Sequence, residues 1–278
     1  MKAFEKFRLD KKTAIITGAC GLLGTEHAYA LLEAGGKVVL TDLISKDLKN
    51  LKNHLSKDFK SENILFMKMD VTKKKDILKV RNNLKRNNIK VNILINNAAI
   101  DPKVGDKKKS KNLSRFENMT IADWDKQISV GLSGAFLCSQ VFGEMILENS
   151  DAGVILNISS DLSVISPDQR IYKKPNLSEE QQPVKPITYS VIKTGLIGLT
   201  RYLSTYWGDK NIRVNALSPG GIFTDQDSDF VNNISYLIPL GRMANRDEYR
   251  SVVQFLCSDA SSYMTGQNII MDGGRSVL

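Results

Sequence analysis

From Thr13 onward short β-branched runs alternate with longer amphipathic segments, and no other feature constrains the fold as much. Strands separated by helix-length segments cannot pair as tight hairpins. Each helix must carry the chain back across the sheet, so successive strands run parallel. The expected fold class is α/β, a doubly wound parallel sheet of about seven strands with helices on both faces. Strand runs fall at Thr13–Thr17, Lys37–Leu40, Ile64–Met69, Val91–Ile95, Gly153–Ser159, Ile212–Ala216 and Asn268–Met271. Helical segments fall at Leu22–Ala34, Ser45–Lys57, from Thr120 and Asp123 to about Asn149, Thr188–Trp207 and Asp247–Leu256.

In such a sheet, ligands bind in the crevice at the carboxyl ends of the strands. The first strand runs into Thr17-Gly-Ala-Cys-Gly-Leu-Leu-Gly24 and then directly into a helix. Glycines there let the backbone approach a pyrophosphate whose charge is held by the amides of the helix N-terminus. Asp42 ends the second strand about twenty residues after the glycine loop, placed to accept hydrogen bonds from ribose hydroxyls and to repel a 2′-phosphate. That points to NAD rather than NADP. Asp70-Val71 and Asn96-Asn97-Ala98-Ala99 end the third and fourth strands at the same crevice.

The proton chemistry is sought in Tyr189-Ser-Val-Ile-Lys193. A tyrosine and a lysine four apart on a helix share a face, and the ammonium favours the ionised phenol. A free phenol titrates near ~10, too high for proton exchange at neutral pH, so the pair makes a serviceable acid/base. Ser160, at the end of the fifth strand, is expected to hold the substrate oxygen. Tyr172 competes for the role of Tyr189, but four residues on stands Asn176, so it lacks the lysine.

Two stretches break the periodicity. Residues 101–117 carry six basic residues (Lys103, Lys107, Lys108, Lys109, Lys111, Arg115) against three acids, either a solvated loop or one that recruits a phosphate or carboxylate. Residues 161–187 hold four of the seven prolines and no regular period. A loop this long inside a compact domain is usually functional, and its ends abut Ser160 and Tyr189, so it is expected to be a substrate-facing flap. Asp161, Gln169, Arg170 and Tyr172 are its expected substrate contacts.

Taken together, Thr17–Gly24, Asp42, Asp70, Asn96–Ala99, Ser160, Tyr189–Lys193, Pro219-Gly220 and Asp272–Gly274 resemble the short-chain dehydrogenase/reductase family in its single-domain form. The resemblance implies a Rossmann-type fold, a nicotinamide cofactor, hydride transfer at an alcohol or carbonyl carbon, and a homotetramer or dimer. It implies Tyr189 as the acid/base, Lys193 as the group that lowers its pKa and holds the nicotinamide ribose, and Ser160 as the group that orients the substrate oxygen. Cofactor contacts are expected at Gly18, Cys20, Gly21, Leu22, Leu23, Gly24, Asp42, Asp70, Val71, Asn97, Ala98, Tyr189, Lys193, Pro219, Gly220, Ile222 and Thr224.

Three departures accompany the match. The glycine loop reads T-G-x-x-G-x-x-G, with Leu22 where single-domain members carry glycine. Gly131 stands where the family has a catalytic asparagine that supports a proton-relay water, so the relay is either rebuilt by another group or absent. The 161–187 loop is longer than the family's usual link. The run Ser159-Ser160-Asp161 with Pro167–Arg170, Gly131 and Ser190–Lys193 is similar to a branch found among bacterial surface-sugar and flagellin-modification (nonulosonate) oxidoreductases. That branch implies a sugar or sugar-phosphate substrate, which a basic loop would suit. Alternatives are a 3-oxoacyl or polyol reductase of the same family, or an NAD-binding scaffold without turnover.

Composition bounds the rest. At 278 residues and 42% hydrophobic content the chain suffices for one domain over residues 1–278. Cys20, Cys138 and Cys257 are odd in number and scattered, as expected of a chain without a disulfide framework or a metal site. The two histidines, His27 and His54, are expected to be structural or solvated. The +9 formal charge comes from lysines spread along the chain with no nucleic-acid motif, so no nucleic-acid partner is expected. A charged N-terminus without an apolar core, and the lack of a long uncharged apolar run, lead us to expect a cytoplasmic protein with no membrane partner.

Overall fold

The computed structural model describes residues 2–100, 114–148 and 152–278. Its first half follows the expected alternation, with α3 added where no helix was expected: β1 (Thr13–Thr17), α1 (Leu22–Glu33), β2 (Lys37–Asp42), α2 (Ser45–Leu55), β3 (Ile64–Lys68), α3 (Lys74–Arg86) and β4 (Ile93–Asn96). The second half contributes α4 (Ile121–Ile128), α5 (Gly134–Glu148), β5 (Gly153–Ile158), α6 (Ile187–Tyr206), β6 (Ile212–Pro219), α7 (Ser228–Tyr236), α8 (Arg250–Cys257) and β7 (Asn268–Met271). The seven strands form one sheet, ordered β3-β2-β1-β4-β5-β6-β7, and every pairing is parallel. The order reverses between β1 and β4, so the crevice opens where these two strands end.

Alternate residues of each central strand serve the two faces. Ile16 and Leu40 pack with Leu31, Leu48, Leu55, Val253 and Leu256 of α1, α2 and α8. Ile15, Val39 and Leu94 pack on the opposite face with Ile77, Leu84, Phe142 and Leu203 of α3, α5 and α6 and with Trp207 just after α6. Both faces are covered, which is why the strands read as near-continuous apolar runs.

Some boundaries differ from expectation. The fourth strand begins at Ile93, although Asn92 just before it still bonds both neighbouring strands: its amide donates to the Thr13 carbonyl, its carbonyl accepts from the Val154 amide, and its side-chain oxygen accepts from the Thr13 amide. The sixth strand runs on to Pro219, since Ala216 to Pro219 pair with β7. The long helix after Thr120 is interrupted: Ser129–Ser133 is a π-helical turn between α4 and α5. Over Ile121–Glu148 the chain is long and apolar enough to cross a membrane, yet it spends that apolarity on the core through Cys138, Phe142, Met145 and Ile146. The end expected at Asn149, and the expected basic residues Lys103, Lys107, Lys108, Lys109 and Lys111, lie outside the described residues.

Candidate active site

The carboxyl ends of the strands surround a cavity of about 890 Å³. Its floor at β1 is built by Gly18, whose φ is +61° and whose missing Cβ would lie 2.7 Å from the Ala98 Cα. Only glycine adopts that conformation at that approach without strain. Asn97 locks the turn from below, its side-chain amide donating to the carbonyls of Thr17 and Gly18 at 3.0 and 2.9 Å. Gly21, Leu22 and Leu23 line the cavity at the start of α1. Gly24 does not: a Cβ there would meet the Gly18 carbonyl and Ala19 backbone, so this glycine lets the helix pack on the loop instead of touching a ligand.

Asp42 lines the cavity with both carboxylate oxygens already in use, accepting from the Cys20 amide at 2.9 Å and the Leu43 amide at 2.7 Å. Each oxygen keeps lone pairs for further donors. Asp70 accepts from the amide and hydroxyl of Thr72 and pairs with Lys73 at 3.0 Å, and these contacts outweigh burial and hold its pKa below the usual value. Val71, Asn97, Ala98, Pro219, Gly220, Ile222 and Thr224 complete this half of the lining. Glycine backbone at a helix N-terminus and an acid at the end of β2 fit a dinucleotide, the first meeting its phosphates and the second its ribose hydroxyls.

Ser160, Tyr189 and Lys193 line the other half. The Ser159 hydroxyl donates to the Lys193 carbonyl at 2.8 Å and ties the end of β5 to α6. Lys193 is buried, its Nζ donating to the Ile158 carbonyl at 2.8 Å and lying 5.6 Å from the Tyr189 ring centre. An ammonium held there stabilises a phenolate over a phenol. Tyr189 and Lys193 are therefore arranged for proton exchange with an oxygen bound in the cavity.

The flap expectations divide. Tyr172 lines the cavity and stacks on Phe230 of α7 at 5.4 Å, over a small apolar cluster of Ile171, Ile234, Ile238 and Met243. Asp161 also lines it, but it is engaged by Arg275 at 2.9 Å. Arg170 does not reach the cavity: its side chain is 83% exposed and forks onto Asp168. Gln169 does not either, because its amide is spent bracing the loop, accepting from the Lys185 amide and donating to the Lys185 carbonyl. Lys185, so held, does line the cavity, with its Nζ 3.8 Å from the Tyr189 ring centre. Neither Lys185 nor Arg275 stood out in the sequence. Their only signals were a lysine between Val184 and Pro186 and an arginine directly after Asp272-Gly-Gly.

The departure at Gly131 has a local reason. Gly131 lies in the π-helical turn, and a Cβ there would meet Ile192 of α6 at 2.7 Å. The two helices close over the place where an asparagine would start, so a relay built on residue 131 is absent from this packing.

Over residues 12–172 the chain matches the family model for short chain dehydrogenase, and over residues 177–276 that for Enoyl-(Acyl carrier protein) reductase. It is 31% identical to an NAD-dependent glycerol dehydrogenase of Listeria innocua serovar 6a, over 99% of this chain and 98% of that protein. It is 27% identical to the post-translational flagellin modification protein A of Campylobacter coli, over 96% of this chain and 98% of that protein. The crystal structure of a short chain dehydrogenase from Leptospira borgpetersenii serovar Hardjo-bovis with bound NAD+ superposes with a TM-score of 0.83 at 34% identity. That match covers 99% of this chain and 96% of the other.

Proposed function

The chain belongs to the short-chain dehydrogenase/reductase family, an oxidoreductase by that membership, and from this premise we propose that it is an NAD-dependent enzyme acting on a secondary alcohol or ketone of a sugar derivative. The observation that carries the reading is the single cavity lined by the glycine loop and Asp42 at one end and by Ser160, Tyr189 and Lys193 at the other.

A bound nicotinamide supplies the hydride chemistry. The chain's own residues do the remainder. Tyr189 exchanges a proton with the reacting substrate oxygen, Lys193 holds the charge on the phenol, and Ser160 holds a substrate oxygen beside them. Asp42 accepts the ribose hydroxyls and opposes a 2′-phosphate, which supports NAD over NADP. The exposed Lys126 and the half-buried Lys185 at the cavity support an anionic substituent on the substrate. A polyol substrate is the second reading, favoured by the similarity to a glycerol dehydrogenase.

Fluorescence titration with NADH and with NADPH tests the cofactor, with tighter NADH binding expected. Weak binding of both would remove the reading. Tyr189→Phe is expected to lower turnover by about a hundredfold or more with cofactor affinity nearly intact. A panel of sugar phosphates, polyols and 3-oxoacyl thioesters then separates the substrate classes.

A further inference from the structure

The turn after β7 does more than end the sheet. The Asp272 carboxylate accepts from the Gly274 amide at 2.9 Å and the Ser276 amide at 2.7 Å. Gly273 and Gly274 take φ values of +69° and +89°, which only glycine adopts freely. The chain is thereby folded back on itself, and Arg275 enters the interior with its side chain only 7% exposed. Its Nη1 donates to Asp161 Oδ2 at 2.9 Å, and the Asp161 side chain is 4% exposed.

Asp161 Oδ1 in turn accepts the Ser160 hydroxyl proton at 2.8 Å and the Leu162 amide at 2.8 Å. Serine has one proton to give. A hydrogen bond to a carboxylate is roughly twice as strong as one to a neutral oxygen, so the serine hydroxyl keeps donating to Asp161 when a neutral substrate binds. Ser160 Oγ also accepts from the Leu162 amide at 3.2 Å, which leaves one lone pair for the cavity. A carbonyl oxygen, or a hydroxyl that is giving its only proton to Tyr189, offers no proton to that lone pair. A second hydroxyl on the neighbouring carbon does.

Building on the dehydrogenase reading, we infer that the Asp161–Arg275 pair sets Ser160 as a hydrogen-bond acceptor, so that the site selects vicinal diols. Tyr189 takes the proton of the reacting hydroxyl, and Ser160 receives the hydrogen bond of the hydroxyl beside it. Asp161 and Arg275 are positioning residues acting through Ser160. A site with a buried acceptor rejects an analogue that lacks the matching donor, because the acceptor is then left unpaired.

The test compares 2,3-butanediol with 2-butanol, which differ by one hydroxyl, on the enzyme loaded with NADH so that neither is oxidised. Ligand-observed NMR gives both affinities. The wild type is expected to prefer the diol by about tenfold or more. The double variant Asp161→Ala/Arg275→Met removes both charges together, leaves no buried ion unpaired, and is expected to lose that preference. In Asp161→Asn/Arg275→Met the amide oxygen again accepts the serine proton, and the preference is expected to return in part. A wild type without diol preference overturns the inference, as does a preference that survives in Asp161→Ala/Arg275→Met. Either result with intact NADH binding removes only the Ser160 assignment, whereas a wild type that binds neither NADH nor NADPH removes the dehydrogenase reading itself.

Discussion

The ammonium of Lys185 sits 3.8 Å from the centre of the Tyr189 ring, closer than that of Lys193 at 5.6 Å. Tyr189 therefore has two lysines near its ring, one from its own helix and one from the loop that precedes it. A cation over an aromatic face contributes about 0.5–2 kcal/mol, and more to the ring once it carries the phenolate charge. Lys185→Met is expected to lower kcat/KM at neutral pH by about fivefold with NADH affinity unchanged, and Lys185→Arg to recover most of it. Steady-state kinetics paired with a fluorescence titration check this, and an unaffected Lys185→Met would show that Lys193 suffices.

Restoring asparagine at position 131 tests the packing between the π-helical turn and α6. Its Cβ would meet the branched Ile192 side chain at 2.7 Å, and overpacking of this kind costs about 1–3 kcal/mol. Gly131→Asn is expected to lower the urea midpoint, and Gly131→Asn/Ile192→Ala to regain part of it. If Gly131→Asn unfolds at the wild-type midpoint, the two helices are not closed against each other as described.

His27 is fully buried under the glycine loop, and burial lowers its pKa from 6.5 to about 4. Asn97 is near enough to oppose that slightly, yet neither ring nitrogen has a well-formed hydrogen bond among the described residues. A base with a depressed folded pKa is neutral in both states above pH 6.5. Below that, only the unfolded chain takes up the proton, so stability falls with pH until about 4, by up to roughly 3 kcal/mol. Urea midpoints across this window should decline in the wild type and decline less in His27→Leu. Equal slopes would exclude His27 as a source of acid sensitivity.

Cys20 lines the cofactor half of the cavity but is expected to be a poor nucleophile. Burial pushes its thiol up to about 12, with Asp42 and Asp47 adding to the effect. At pH 8 only about one thiol in ten thousand is then ionised, and the thiolate is the reactive form. Iodoacetamide at that pH should leave Cys20 unmodified in peptide mass spectra over a time that fully labels an exposed cysteine peptide. Rapid labelling would mean that the loop opens away from Asp42.

The doubly wound sheet was legible because both its signals are local. Short, near-continuous apolar runs separated by helix-length segments leave parallel pairing as the arrangement that buries both faces. A glycine loop between strand and helix, and an acid at the end of β2, carry their meaning in spacing alone. Tyr189 and Lys193 could be paired on paper because a helix sets residues four apart on one face. The flap was less legible. Gln169 and Arg170 looked like substrate contacts because they are polar and lie between Ser160 and Tyr189, but a 27-residue segment without period gives no rule for which side chains turn inward.

By itself, then, the sequence determined the α/β class, the seven strands in their order along the chain, the glycine loop, and part of the set of residues that meet at the crevice, among them Asp42, Ser160, Tyr189 and Lys193. Tertiary structure alone decided that Arg275 returns to hold Asp161, that Gln169 braces Lys185 over Tyr189, and that Ile192 closes the space above Gly131. Each of these joins residues that periodicity does not relate: Asp161 and Arg275 are 114 positions apart, and Gln169 and Lys185 are 16. Local pattern reports which face of an element is buried. Which distant side chain meets it depends on how the elements pack and how the loops between them fold, and that is settled only when the whole chain is compact.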